Sequence, residues 1–245
     1  PMDFLRKLRA AVKAENPDAL VLGEVWEDAS HKVAYGEMRC YCQGDTLDSV
    51  MNYPLRAAAI DFFTGRADAF ALCRLIRSQQ ENYPAPFYYS LMNLLGSHDR
   101  VRILNALSGY DQQGAIQMSR LQAGEVQLTP TQLSRAKRRY VSALKLLCAL
   151  PGVPTVYYGD EVGMTGMADP WNRAPMNWQD GDQELRGQVA RVLLKRRKNP
   201  MLQTGYLNVE APDDKTLLIT RYAVDGRDVF GDPLPGKPVT VKITR

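Results

Sequence analysis

The chain has 245 residues, 45% of them apolar and 24% charged, with a formal net charge of +4. This is enough apolar material for a sizeable core, in one large barrel or in a domain and a half. The charge is small and dispersed: the two basic runs, Arg135 to Arg139 and Lys195 to Lys198, fall on helix-like segments without interleaved aromatics, which speaks against nucleic acid, and no apolar run is long enough for a membrane span.

Phe4, Leu5, Leu8 and Val12 recur at helical spacing and predict a helix from Asp3 to Ala14, stopped by Asn16-Pro17. Ala19 to Val25 is nearly all apolar, as in a strand covered on both faces, and Glu24 lies at its end. Glu27 to Thr46 is polar and turn-rich and reads as a loop, and Ser49 to Tyr53 is a second strand that Pro54 closes. Leu55 to Phe63 and Ala67 to Gln80 have helical spacing, with Asn82 to Pro86 as a connector. Leu91 to Leu95 is a third strand, and the small-residue turn after it delivers His98 and Asp99 side by side. Val101 to Leu107 reads as helix and Gly109 to Leu128 as a surface excursion. Thr129 as cap and Pro130 at the first position open a long helix through Leu150. Val153 to Tyr158 is a fourth strand, followed by a loop from Gly163 to Asp180 and a helix from Asp182 to Lys198. Beyond Asn199-Pro200, Gly205 to Val209, Thr216 to Tyr222 and Val239 to Ile243 are short β-branched stretches between turns.

Strand and helix alternate through four units, so the predicted fold class is parallel α/β: the second half, strands five to eight, of a (β/α)8 TIM barrel, followed by a short antiparallel β domain. The predicted division is residues 1–199 for the barrel half and 200–245 for the β domain. Four units do not close an eight-stranded barrel, and the chain enters on a helix at Pro1, so it reads as a piece of a longer protein. Chemistry in such a sheet sits at the C-terminal strand tips, which singles out Glu24 and Asp99 for acid/base work on one small substrate. Cys40, Cys42, Cys73 and Cys148 form no C-x-x-C pair and favour reduced thiols in a cytoplasmic setting. His31 and His98 are too few for a histidine-built metal cage.

The wording at the four tips is more specific than the layout. Leu22 to Ala29 (LGEVWEDA), Asp48 to Pro54 (DSVMNYP), Asn93 to Asp99 (NLLGSHD) and Pro151 to Met164 (PGVPTVYYGDEVGM) resemble, in order, strands five to eight of the alpha-amylase family, glycoside hydrolase family 13. Asp169 to Arg173 (DPWNR) with Pro175 to Trp178 (PMNW) is most similar to its neopullulanase, cyclomaltodextrinase and maltogenic amylase branch. The resemblance runs from Pro1 to about Lys198, and the β-rich tail is similar to a shortened form of the family's C-terminal sandwich.

The resemblance implies a retaining hydrolase of α-glucosidic bonds in maltooligosaccharides, cyclodextrins, pullulan or starch. Glu24 then matches the general acid/base, Asp99 the carboxylate that holds the sugar's 2- and 3-hydroxyls, and His98 the imidazole that bonds the same ring. Trp26 and Tyr53 are expected as sugar-stacking platforms, with core packing as the alternative; Asn52 is expected as a structural hydrogen-bonder lining the site, and Asp169 and Arg173 to reach its non-reducing side. Arg100 departs from the family, where a small hydroxyl residue often follows the aspartate, and Arg102 stands where the branch has its arginine. The family's nucleophile, an aspartate on strand four, is not among these residues, so the chain alone is expected to be inactive, with an exposed sheet edge and an uncovered core face. An oligo-1,6-glucosidase, a transglycosylase of the same family and a catalytically silent carbohydrate-binding barrel are the alternatives. The implied partner is an α-glucan, and the chemistry needs no cofactor. No calcium ligand set is evident, although a structural calcium and a homodimer stay open for the longer parent.

Overall fold

The computed structural model of the protein describes residues 1–111 and 119–245. Helix α1 (Met2–Glu15) leads into β1 (Leu22–Gly23), and a small hairpin of β2 (Val33–Ala34) and β3 (Glu37–Met38) precedes β4 (Ser49–Val50). Helices α2 (Tyr53–Thr64), α3 (Ala69–Asn82) and α4 (Ala85–Ser90) separate β4 from β5 (Met92–Leu94). After β5 come α5 (Ile103–Asn105), which runs into a π-helical turn at Ala106–Tyr110, then α6 (Arg120–Glu125), the long α7 (Pro130–Ala149) and β6 (Val153–Thr155). Helices α8 (Gln183–Arg197) and α9 (Pro200–Thr204) hand over to β7 (Tyr206–Asp213), β8 (Thr216–Tyr222) and β9 (Val239–Thr244).

β1 runs parallel to β4, with Leu22 opposite Ser49, and β5 parallel to β6, with Met92 opposite Val153. A parallel bridge between Met51 and Met92 joins the two pairs, giving the order β1-β4-β5-β6. The strands are shorter than the apolar runs predicted, and for β1 and β4 the cause is local. Beside β1 the pairing passes to a side chain: the Val21 N–H donates to Asp48 Oδ2 at 2.8 Å, while the Asp48 N–H returns to the Val21 carbonyl at 2.9 Å. β4 stops because Asn52 caps α2, accepting from the Leu55 N–H at 3.2 Å with Pro54 in the first turn.

The predicted Asn82 to Pro86 connector ends sooner than expected, because Phe87 and Tyr88 bury themselves in the turn of α4. Residues 112–118 of the Gly109 to Leu128 excursion lie outside the described residues. Its later part forms α6, a helix not predicted from sequence, begun by a reciprocal cap between Ser119 and Gln122. α7 starts as predicted, with Thr129 and Gln132 capping each other and Pro130 in the first turn.

The core gathers around α2 and α7. Ala136, Tyr140, Ala143, Leu144 and Leu147 recur at intervals of three and four and form the buried face of α7, and Leu55, Ala59, Ile60, Phe62 and Phe63 come from α2. β7, β8 and β9 form an antiparallel meander. Its inward residues Leu207, Val209, Leu217, Ile219 and Ile243 belong to the same buried cluster as the helices. Arg221, fully buried, fastens the meander by donating to the carbonyls of Ala149 at 3.0 Å, Leu202 at 2.8 Å and Gly205 at 2.7 Å.

The opposite side of the layer departs from expectation. α1 has the predicted apolar stripe but no buried residue: Phe4 is 61% exposed, and Leu20 and Leu22 of the β1 segment are 60% and 41% exposed. β1 is therefore not covered on both faces by any described residue. Among the described residues no helix is long and apolar enough to cross a membrane.

Candidate active site

In a parallel layer the C-terminal strand tips share one side. Glu24 follows β1, Tyr53 begins α2 just after β4, and Ser97, His98 and Asp99 follow β5. One ligating atom each from Glu24, His98 and Asp99 lie within 4.8 Å of one another. His98 Nε2 is 3.2 Å from Asp99 Oδ2 and 4.0 Å from Glu24 Oε2. The three side chains are partly open to solvent, so the cluster can be reached by a ligand.

Each carboxylate has one oxygen held by a donor outside the cluster, and the second oxygen of Asp99 also faces His98. The Tyr53 hydroxyl donates to Glu24 Oε1 at 3.0 Å, and Arg173 Nη2 donates to Asp99 Oδ1 at 2.7 Å. Tyr53 is buried, and desolvation, with the Glu24 charge adding to it, pushes its pKa up to about 12, so it remains a donor at any ordinary pH. The Trp26 ring stacks on Tyr53 with centroids 4.1 Å apart and planes 3° from parallel. Of the two expected platforms, Trp26 keeps 43% exposure and Tyr53 only 5%, so Tyr53 supports Trp26 and orients Glu24 rather than offering its own face. The Arg100 guanidinium lies 5.9 Å from the Trp26 ring centroid.

Asn52 is the structural hydrogen-bonder expected, but it is buried, with its amide committed to other side chains and to a helix cap. It caps α2, donates to Asn93 Oδ1 at 2.9 Å and accepts from Gln79 Nε2 at 2.8 Å. The position serves the helix start and the floor beneath the cleft. Arg173 does reach the cluster, and Asp169 reaches it only through Arg173, with Oδ1 3.2 Å from Arg173 Nε.

Sequence reasoning missed Asn172. Its side chain is fully buried and its Nδ2 donates to the carbonyls of His98 at 2.7 Å and Arg100 at 2.9 Å, so it brackets Asp99 on both sides. It lies inside the Asp169 to Arg173 stretch, but nothing in the letters separates it from its neighbours. A second missed feature is the buried base of the β5 tip. Arg102 Nη1 donates to the Tyr158 carbonyl at 2.6 Å and to Asp160 Oδ1 at 3.3 Å, and the Tyr157 and Tyr158 ring centroids lie 4.9 and 4.7 Å from its guanidinium. Burial outweighs the pull of Arg102 and pushes the Asp160 carboxyl up to about 7. Gly96 is required here because a Cβ at that position would stand 2.2 Å from Asp160 Oδ2.

The cluster of one imidazole and two carboxylates is a donor set suited to a transition metal rather than to calcium, which takes six to eight oxygens. Arg173 already occupies one oxygen of Asp99. As it stands, the arrangement can bind a small polyhydroxylated ring: two carboxylates and an imidazole for hydroxyls, beside an exposed indole face for the apolar side of the ring.

Residues 1–202 match the model of the alpha amylase catalytic domain. The chain belongs to the alpha-amylase family. It is 34% identical over 254 residues to an amylopullulanase of Thermoanaerobacter thermohydrosulfuricus, covering 99% of this chain and 16% of that protein. With neopullulanase 2 of Thermoactinomyces vulgaris it shares 35% identity over 181 residues, 74% of this chain and 25% of the relative. Among solved structures, the ligand-free cyclic alpha-maltosyl-(1→6)-maltose hydrolase of Arthrobacter globiformis superimposes with a TM-score of 0.73 at 26% identity, covering 100% of this chain and 53% of that one. The chain thus spans a small part of these curated relatives and about half of the solved one. The likeness to alpha-amylase catalytic domains implies a TIM-barrel fold.

Proposed function

We propose that the chain carries the acid/base side of a retaining glycoside hydrolase that cleaves α-glucosidic bonds in maltooligosaccharides, cyclodextrins or pullulan-type and starch-type glucans. Residues 1–199 act as strands five to eight of its barrel, and residues 200–245 as a small β domain. One observation carries the reading: Glu24, His98 and Asp99 come from two strand tips, 75 positions apart at the extremes, yet present their ligating atoms within 4.8 Å. Glu24, oriented by Tyr53, protonates the glycosidic oxygen and later takes a proton from water. Asp99, fixed by Arg173, accepts hydrogen bonds from adjacent sugar hydroxyls and stabilises the positive charge that develops on the ring; His98 donates to the same sugar.

Retention also needs a nucleophilic carboxylate about 5 Å from the acid, across the sugar. Asp99 is already tied to Arg173 and His98, so we assign the nucleophile to a residue outside these 245 and the chain alone to binding without turnover. Two assays test this. Calorimetric titration with maltose is expected to show binding that D99N weakens at least about tenfold, the loss of a charge-assisted bond; unchanged affinity in D99N refutes the cleft assignment. Incubation with maltoheptaose and pullulan is expected to release no reducing ends, and turnover that E24Q abolishes refutes the placing of the nucleophile elsewhere.

A further inference from the structure

The β2–β3 hairpin belongs to the connection that leaves the tip of β1, the same connection that carries Glu24 and Trp26. At its turn Tyr35 is 95% exposed and adopts φ 55°, in the left-handed region that bulky residues occupy only under strain. Gly36 follows at φ 76°, and nothing lies within 4 Å of where its Cβ would be. A hairpin turn with two positive φ values favours Asn-Gly, so tyrosine works against the local preference here. The bare ring gains no packing from solvent to offset this. It is supported from behind: Arg39 is buried, its guanidinium carbon lies 5.2 Å from the Tyr35 ring centroid, and its Nε has no hydrogen-bond partner among the described residues. Arg39 also holds Glu37, whose largely exposed carboxylate lies 3.8 Å from Arg39 Nη1.

We propose that Tyr35, with Glu37 beside it, is a second sugar-binding platform that takes a glucose unit of an α-glucan chain away from the cluster of Glu24, His98 and Asp99. The proposal rests on the α-glucan reading of that cluster. A flat exposed ring meets the apolar C–H face of a pyranose, and an adjacent carboxylate accepts from its hydroxyls. The neighbouring exposed apolar residues, Val33 and Met38, form a single cross-strand pair, far short of the roughly 800 Å² per side that a stable protein interface buries.

The test compares maltose with maltoheptaose in calorimetric titrations of the 245-residue chain. The wild-type chain is expected to bind maltoheptaose more tightly than maltose. Y35N, which suits the positive φ and keeps the hairpin, is expected to lose about three- to tenfold in maltoheptaose affinity with maltose affinity unchanged, and Y35F to retain both. A thermal midpoint for Y35N at or above wild type verifies that the fold is intact. Equal maltoheptaose affinity in Y35N and wild type, no gain for the longer sugar in wild type, or no maltoheptaose binding at all overturns the proposal. Failure of the cleft reading is separate, because it shows as maltose affinity indifferent to D99N.

Discussion

Replacing Asp160 by asparagine isolates the most perturbed carboxyl in the protein. The residue is fully buried, 3.3 Å from Arg102, and its pKa is raised from 3.8 to about 7 because desolvation disfavours the charged form more than Arg102 restores it. Below pH 3.8 the carboxyl is protonated in both folded and unfolded chains and costs nothing. Between pH 3.8 and 7 the folded chain holds a proton that the unfolded chain has released, so stability falls as pH rises, and above 7 the loss is complete. About three units at 1.36 kcal/mol each give about 4 kcal/mol as the ceiling of this loss. D160N keeps the shape and abolishes the titration. It also leaves the Arg102 guanidinium buried without an anion, but that penalty does not vary across this range, so the pH dependence of the difference is the readout.

The assay is urea unfolding followed by tryptophan fluorescence from pH 4.5 to 8.5 in both proteins. Titrations elsewhere in the chain are common to the two and cancel. The stability of D160N relative to wild type is expected to improve steadily with pH, by up to about 4 kcal/mol, and to level off above neutrality. A flat difference, or one that moves in favour of wild type as pH rises, refutes the reasoning: it would mean that Asp160 is ionised throughout and that the attraction to Arg102 exceeds the cost of burial.

Two further outcomes follow from close contacts and from thiol burial. Gly96→Ala places a methyl 2.2 Å from Asp160 Oδ2 and 3.1 Å from the Tyr157 Cβ, and is expected to lower unfolding stability by about 1–3 kcal/mol in the same urea assay; a change under about 0.5 kcal/mol would show that the β5 tip shifts freely. Cys148 is buried and its thiol is pushed up to about 11, and burial raises Cys42 and Cys73 too, so a chromogenic disulfide at pH 8 should react quickly with the half-buried Cys40 alone until denaturant is added. Rapid modification of Cys148 in the native chain would contradict its burial.

The strand tips were legible because each apolar run ends in residues that have no business in a core. Glu24 after Leu22-Gly23, and His98-Asp99 after Gly96-Ser97, advertise themselves in one dimension, and the structure brings them together. The helix starts were equally local: Thr129-Pro130 opens α7 as its letters indicate. Asn52 was legible as a structural hydrogen-bonder, and Asn52-Tyr53-Pro54 has the form of a cap followed by a first-turn proline, although its place at a strand tip also drew it to the cleft.

Side chains that act across the fold could not be read in this way. Asn172 reaches carbonyls 72 and 74 positions away, and Arg102 meets Asp160 58 positions on, so neither pairing leaves a spacing pattern in the sequence. The division of labour between Trp26 and Tyr53 was undecidable for a related reason: both are aromatic and both stand at tips, and only their stack together with exposures of 43% and 5% shows which ring covers the other. The failure at β1 is of a different kind. Apolar letters report what a segment is suited to bury, and Leu20, Leu22, Phe4 and Leu8 are suited to a cover that none of the described residues provides. Exposed apolar surface of this sort promotes association. If it governs the behaviour of the isolated chain, then charged replacements at Phe4 and Leu20, both exposed and neither part of the Glu24, His98 and Asp99 cluster, should suppress concentration-dependent self-association in sedimentation while leaving maltose affinity unchanged. Association that persists unaltered would place the sticky surface elsewhere.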